Sequence, residues 1–302
     1  MRSNMLENMN IFVRVVEHGS FTKAADVLQI HRPTVSKVIQ QLEDDLGIKL
    51  IHRTTRRLKL TEEGEAFYQR ARHCLADVND IMATFSASHT PKGKLRIDAP
   101  LSLAHALIIP ALAEFQSQYP DVEIIFTASD TKTDLMAEGV DCVIRLGELD
   151  DSSFISRRIG EVRMVTCASP NYLKKNGIPQ NPDELAKHKV INFFSEHSRE
   201  VMDWKFVVEG EVLSYRPPTN VLVNNSDVLL SSALAGIGII NVLRASTESY
   251  ISSGALVEIL SDYPSVPKLV SILWPDRQYL PPKVRVFIDW FNELFIRNQK
   301  RI

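Results

Sequence analysis

Arg32, Thr34, Ser36, Lys37 and Gln40 crowd into nine consecutive residues. All carry hydrogen-bond donors, and none is needed to build a core. Donors of this kind suit base edges in a major groove and the phosphates beside it. A second group lies close by. Lys49, Arg53, Arg56, Arg57 and Lys59 fall within eleven residues with no acidic residue among them. Such a run can meet a nucleic-acid backbone or minor groove.

The elements that would position these groups are legible around them. One helical pattern runs from about Thr22 to Leu28 and a second from about Pro33 to Leu46. Only Gln29-Ile30-His31-Arg32 separates them. Ala25, Leu28, Ile30, Val35, Ile39 and Leu42 are spaced to meet across so tight a turn. Pro33 is tolerated in the first helical turn, where its missing N–H breaks no bond. Gly47 stops the helix. The pair reads as a helix-turn-helix, although any α-rich domain can hold such a hairpin. The next stretch of chain favours DNA. Leu50-Ile51 and Leu58–Leu60 have strand-like apolar positions, and Thr54-Thr55-Arg56-Arg57 makes a basic turn between them, as in a wing. An earlier helix over residues 5–18 places Met9, Phe12, Val13 and Val16 on one face. Gly19 ends it, and Ser20 caps the next helix.

Thr61 opens a long helix as its N-cap, with Glu62 and Glu63 at the positive end of the dipole. Phe67, Ala71, Cys74, Val78, Ile81 and Phe85 recur at alternating steps of four and three, a seam at heptad spacing. The helix ends at the Ser86–Pro91 breaker. Such a helix either packs on a globular core or pairs with its copy, and its place between two domains favours pairing. A two-fold dimer would present two recognition helices to two half-sites.

From Gly93 the pattern becomes α/β. Lys94–Ala99 reads as a strand, about Leu103–Tyr119 as a helix, Val122–Thr127 as a strand, Asp134–Glu138 as a short helix and Cys142–Leu146 as a third strand. This alternation predicts a largely parallel sheet. A second unit begins near Gly160. Its expected strands are Val162–Ala168, Lys189–Phe194, Trp204–Val208 and Val221–Asn224, with helices after Ser169-Pro170 and over Asp227–Ala235. The last segment, Leu256–Leu260, Leu269–Trp274 and a helix over Pro282–Phe295, reads as separate again.

Several residues of this body could line a ligand site. Ser102 comes after the first strand and precedes a helix, where a hydroxyl and free N–H groups can bind an anion or simply cap the helix. Ser129 comes after the second strand. Arg145, inside an apolar strand, needs a partner. That partner is either a ligand carboxylate or an internal acid, Glu148 or Asp141, with the internal pairing slightly favoured. Phe193, Phe194 and Asn224 are strand-end candidates in the second unit.

Other function classes find little support. The 302 residues suffice for about two domains. The 44 % apolar content allows ordinary cores, and the net charge of −2 hides a local excess. From Lys23 to Leu60 there are eight basic and four acidic residues. The N-terminus lacks a signal peptide's apolar run, and no stretch approaches 18 uncharged apolar residues, so no membrane association is expected and the cytoplasm is the expected location. Three cysteines, Cys74, Cys142 and Cys167, make no disulfide framework. Cys142 and Cys167 on core strands read as buried, inert thiols rather than a redox pair. No zinc-protease, nucleophile-elbow or phosphate-loop motif is present, Gly236-Ile237-Gly238 lacks a dinucleotide loop's third glycine, and the histidines form no ligand cluster. The chain is therefore expected to be no enzyme and to need neither metal nor cofactor. A purely DNA-bending protein would not need a body of this size.

The N-terminal stretch resembles the winged helix-turn-helix of the LysR-type transcriptional regulators. The resemblance rests on Gly19-Ser20-Phe21-Thr22, Ala24-Ala25, Leu28, Pro33-Thr34-Val35-Ser36, Ile39, Leu42-Glu43, Leu46-Gly47, Arg53-Thr54 and Leu60-Thr61-Glu62-Glu63-Gly64. Arg32 departs from it, because the family often has glutamine before this proline. That leaves the fold unaffected and bears on which bases are read. Residues 93–295 resemble the same family's effector-binding domain through Gly93–Ile97, Phe115, Tyr119–Val122, Ile144–Gly147, Ala168–Pro170 with Tyr172-Leu173, Gly236 with Gly238-Ile239, and Leu280–Arg285.

The resemblance implies a winged helix-turn-helix over 1–60, a linker dimerisation helix over 61–88 and an effector-binding body over 89–302. That body would have two α/β lobes of periplasmic-binding-protein type, lobe I at about 93–160 and 268–302 and lobe II at about 161–267. It implies double-stranded DNA as partner, a homodimer and a homotetramer of two dimers. It also tips Ser102 toward an effector pocket. A small anionic effector and contact with RNA polymerase complete the expected partners; the alternative is a body that serves only as an oligomerisation scaffold.

Overall fold

The computed structural model describes residues 5–52, 58–84, 90–130, 139–149, 154–194, 201–275 and 280–302. Its contacts divide it into two units, one of residues 1–89 and the other of residues 90–302 apart from 137–139.

In the first unit α1 (Met5–His18), α2 (Phe21–Leu28) and α3 (Arg32–Leu46) enclose a core that includes Phe12, Ala25, Val35, Ile39, Leu42 and Leu50. The local signals act as their chemistry dictates. Gly19 takes φ +59°, and the Ser20 hydroxyl accepts the Lys23 N–H at 3.3 Å. The turn between α2 and α3 is one residue shorter than the sequence suggests, because Arg32 is already helical. Gln29 takes the left-handed conformation that closes α2, and Gly47 closes α3 in the same way. β1 (Ile51–His52) pairs antiparallel with β2 (Lys59–Leu60), with Ile51 opposite Leu60. The basic turn between these strands lies outside the described residues.

The long helix α4 (Glu62–Thr84) starts under tight local control. Thr61 Oγ1 accepts the Gly64 N–H at 2.9 Å and donates to the Lys49 carbonyl at 2.6 Å. A Cβ on Gly64 would lie 2.0 Å from the Leu50 carbonyl oxygen, so the wing and α4 can approach only over a glycine.

The second unit is a two-lobed α/β body. Its first lobe carries a five-stranded sheet formed by β3 (Gly93–Ala99), β4 (Val122–Ala128), β5 (Cys142–Leu146), β6 (Phe154–Val162) and β14 (Lys268–Pro275), in the order β4-β3-β5-β14-β6. The sheet is mixed rather than largely parallel. β3 runs parallel to β4 and β5, whereas β14 runs antiparallel to both β5 and β6. The last segment is not separate. β14 enters the first lobe's sheet, and the helix Pro282–Asn298 packs on that lobe through Phe287, Trp290, Phe291 and Phe295. Phe115 meets the Phe287 and Trp290 rings edge-on at 5.6 and 5.2 Å.

Between β3 and β4 the helical stretch is composite. α5 (Leu101–Leu103) passes through a π turn at Ala104–Ile108 into α6 (Ile109–Gln118). The short helix expected at Asp134–Glu138 lies outside the described residues.

Among the described residues the second lobe holds three smaller sheets. β12 (Ile240–Leu243) and β13 (Val257–Ile259) flank β7 (Met164–Ala168), both antiparallel to it. β8 (Val190–Phe193) runs parallel to β11 (Thr219–Val223), and β9 (Trp204–Val208) forms a hairpin with β10 (Glu211–Tyr215). The strand expected at Val162–Ala168 is in fact two, since β6 ends at Val162 and β7 begins at Met164. Sequence reasoning missed β6 and β10 because most of their side chains are exposed, so neither shows the alternation of a half-buried strand.

Candidate DNA interface and effector cleft

On α3 the two faces separate cleanly. Val35, Ile39 and Leu42 are buried, while Arg32, Pro33, Thr34, Ser36, Lys37 and Gln40 are all exposed. Helix α3 therefore presents a guanidinium, an ammonium, two hydroxyls and an amide to solvent, the donor set for base edges and phosphates. Arg53, Arg56 and Arg57 lie outside the described residues. Lys59 and His52 on the wing strands are exposed.

Lys49 has a different task from the one its place in the basic run suggests. Its ammonium lies 2.7 Å from Glu43 Oε2. Glu43 is only 3 % exposed, and its Oε1 accepts the N–H groups of Leu50 and Ile51 at 3.0 and 3.2 Å. Burial pushes the Glu43 carboxyl up, but the Lys49 ammonium and the two backbone donors outweigh it and hold the carboxyl below the usual carboxylate range.

The seam of α4 divides along its length. Phe67 faces inward, its ring 5.4 Å from that of Phe12 and packed against the unit's own core. Ala71 is buried as well. Cys74 and Val78 are half-buried, whereas Ile81 and the neighbouring Met82 are 56 % and 69 % exposed. The unpartnered apolar surface thus lies toward the C-terminal part of the helix. Phe85 lies outside the described residues.

In the second unit the candidates cluster at the carboxyl ends of parallel strands, the edge where open α/β sheets bind ligands. Ser102 is 9 % exposed in the first turn of α5, and its hydroxyl has no hydrogen-bond partner among the described residues. It is not the helix cap, a position taken by Pro100. Ser129, just past β4, donates its N–H to the Ala99 carbonyl at 3.0 Å, which ties the ends of β3 and β4 together. In the other lobe Phe194 donates its N–H to the Val223 carbonyl at 2.9 Å. That bond sets Phe193, Phe194 and Asn224 side by side at the ends of β8 and β11. Phe193 packs against the core of the second lobe.

Arg145 has an internal partner, and it is neither Glu148 nor Asp141. Its Nη1 lies 2.6 Å from Oδ2 of Asp98, a 2 %-exposed residue on β3 whose Oδ1 also accepts the Thr127 hydroxyl. Asp141 instead accepts the Arg96 N–H and sits 3.6 Å from the Lys283 ammonium.

The residue that joins the lobes is one the sequence did not single out. Asp130 Oδ1 accepts the Leu101 N–H at 3.0 Å, at the start of α5. Its Oδ2 accepts both the N–H of Ser226, at 2.7 Å, and the Ser226 hydroxyl, at the start of the helix Ser226–Leu234 in the second lobe. His105 Nδ1 lies 3.5 Å from Asp227 Oδ1, a second contact between the two lobes. A surface cavity of about 380 Å³ lined by Glu161, Arg163, Lys300 and Ile302 shares no residue with this group.

Cys142 and Cys167 are fully buried and unbonded. Burial, reinforced by Asp141, pushes the Cys142 thiol well up, and burial, reinforced by Glu258, pushes Cys167 up to about 12. Neither is poised as a thiolate. No three metal-ligating side chains come together among the described residues, and none of their helices is long and apolar enough to cross a membrane.

Residues 6–65 match the bacterial regulatory helix-turn-helix family of lysR type, and residues 88–295 match the LysR substrate binding domain. The chain is 36 % identical over 283 residues to the "Uncharacterized HTH-type transcriptional regulator YhjC" of Escherichia coli K12, covering 93 % of this chain and 95 % of that protein. It is 35 % identical over 294 residues to the HTH-type transcriptional activator AaeR of the same organism, covering 96 % and 94 %. The full-length structure of AphB, a virulence activator of Vibrio cholerae, superposes with a TM-score of 0.61 at 31 % identity over 94 % of this chain and 97 % of that one. Two family matches in the expected order, spanning nearly the whole sequence, establish that this chain belongs to the LysR family of transcriptional regulators, DNA-binding proteins with an N-terminal helix-turn-helix and a C-terminal effector-binding domain.

Proposed function

We propose that this sequence-specific DNA-binding regulator answers to a small anionic effector bound between the lobes of its C-terminal body. Residues 1–60 form the DNA-binding domain, 61–88 the dimerisation helix and 89–302 the effector-binding body. Arg32, Thr34, Ser36 and Lys37 read base edges, with Gln40 beside them, and Arg53, Arg56 and Arg57 grip the backbone or minor groove. The protein works on DNA in the cytoplasm as a homodimer or a tetramer of two dimers.

The observation that carries the effector reading is the Ser102 hydroxyl, which has no hydrogen-bond partner among the described residues, with Ser129 also at the carboxyl ends of β3 and β4. Arg145, held by Asp98, would act there by its charge. The ligand favours one lobe arrangement, and paired bodies convert that preference into a new spacing of the DNA-binding heads. The output is a changed DNA bend or a changed contact with RNA polymerase. A metabolite-library thermal-shift screen on the full chain, with calorimetry on hits, tests this reading. A hit whose affinity falls in Ser102→Ala supports it; hits indifferent to both Ser102→Ala and Ser129→Ala remove the proposed site.

A further inference from the structure

Asp130 makes three hydrogen bonds through one carboxylate, and they reach both lobes. Oδ1 takes the Leu101 N–H of the first lobe; Oδ2 takes the N–H and hydroxyl of Ser226 in the second. Lys268, at the start of β14, feels the same charge. Burial lowers its ammonium pKa, and Asp130 is the group that opposes the shift. The Lys268 ammonium has no hydrogen-bond partner among the described residues. Two backbone donors and a hydroxyl converging on one point are what a ligand carboxylate seeks between two lobes. Here a side chain of the protein already supplies that carboxylate.

We propose that Asp130 is a built-in counter-ligand, which closes the lobes in the absence of effector by occupying the place of the effector's carboxylate. The idea rests on the cleft reading above and adds its regulation. An anionic effector must displace Asp130 to gain the Leu101 and Ser226 donors. The unliganded protein is then not open and empty but closed on itself, and an effector exchanges one closed arrangement for another. Simple monoanions, which bring no more than Asp130 already provides, leave the wild type unmoved. The site selects ligands that add contacts beyond one carboxylate.

Chemical rescue tests this directly. Asp130→Gly removes a group the size and charge of acetate, so acetate should fit the space left behind. Hydrogen–deuterium exchange is followed in the full chain at Leu101–Leu107 and Ser226–Leu234. In Asp130→Gly the two segments, one in each lobe, should exchange about tenfold faster than in wild type. Acetate should restore their protection in the variant, change nothing in wild type, and lose its effect when Lys268→Met is added. The isosteric Asp130→Asn, which keeps the side-chain volume, should show the same faster exchange and no rescue. Unchanged exchange in both variants, acceleration in only one lobe, or acetate acting equally on wild type and Asp130→Gly would each overturn the proposal. Its fate is separable from that of the effector reading: a metabolite screen without hits on wild type would sink the latter and leave acetate rescue of Asp130→Gly standing.

Discussion

The carboxylate of Glu43 accepts the backbone N–H of Leu50 at 3.0 Å and so joins the end of the recognition helix to the first strand of the wing. Helix and wing are the two parts proposed above to meet DNA together, and a 3 %-exposed acid fixes their relation. The same carboxylate holds the Ile51 N–H and the Lys49 ammonium.

Replacing Glu43 with glutamine should therefore cost the DNA-binding unit about 1–3 kcal/mol, the usual penalty for leaving buried donors poorly matched. Lys49→Met should cost far less, about 0–1 kcal/mol, because the Lys49 side chain is 61 % exposed. The folded Glu43 pKa lies below its unfolded value. Its stabilisation is thus complete above the unfolded carboxylate range and is lost as pH falls through the folded value. Melting of the full chain across the acid range, with exchange in Arg32–Leu46 as the local readout, should show that loss in wild type and a shallower one in Glu43→Gln. Equal slopes would remove the carboxylate from this role.

DNA readout should divide between two kinds of residue. Arg56→Ala should weaken all DNA sequences by similar factors and reduce the log–log salt slope by roughly 0.9 for one lost phosphate contact. Arg32→Ala should instead change the preferred sequence, since Arg32 opens the exposed face of α3. Binding-site selection with the Arg32 variant is the decisive measurement, and an unchanged motif counts against base reading.

Sequence distance decided which of these features were legible beforehand. The helix-turn-helix showed itself because Ala25, Val35 and Ile39 meet through local spacing, and Ser20, Gly47 and Thr61 cap by local chemistry. Phe67 fell on the expected heptad seam, yet its ring goes to Phe12, because an apolar period says that a face is buried and not by what. Arg145 visibly needed an acid, but candidates close in sequence hid Asp98, 47 residues away and adjacent only through the β3–β5 pairing. Asp130 and Ser226 are 96 residues apart, in different lobes. No period links them, and the one available signal was an acid directly after the Ser129 already suspected.

Dimerisation should depend on the C-terminal part of α4, where Ile81 is exposed, more than on Phe67, which the monomer already uses. Ile81→Glu should lower the mass measured by size-exclusion chromatography with light scattering, and weaken binding to a two-half-site DNA while sparing the melting of the DNA-binding unit. Phe67→Ala should do the reverse. It should destabilise that unit by about 3 kcal/mol, the low end for a truncated core aromatic, since Phe67 is half-buried. A wild-type chain that is monomeric at micromolar concentration, with and without DNA, would contradict the dimer altogether.

Ser102 and Arg145, both candidates for the proposed effector cleft, offer the sharpest contrast, because the structure gives them opposite relations to the fold. Arg145 neutralises buried Asp98, so Arg145→Met leaves an acid without its cation and should destabilise the body by about 3–5 kcal/mol. The loss should be largely relieved in the double variant with Asp98→Asn. The Ser102 hydroxyl contributes no hydrogen bond to the fold among the described residues, so Ser102→Ala should move stability by no more than about 0.5 kcal/mol. Its cost should appear only with a ligand present, as a roughly tenfold loss of affinity for an effector found by screening. Thermal unfolding and calorimetry on the two single variants therefore separate a residue that holds the cleft from one that is kept for its ligand. If Ser102→Ala melts early, or binds the effector as wild type does, the hydroxyl is structural and the ligand sits elsewhere.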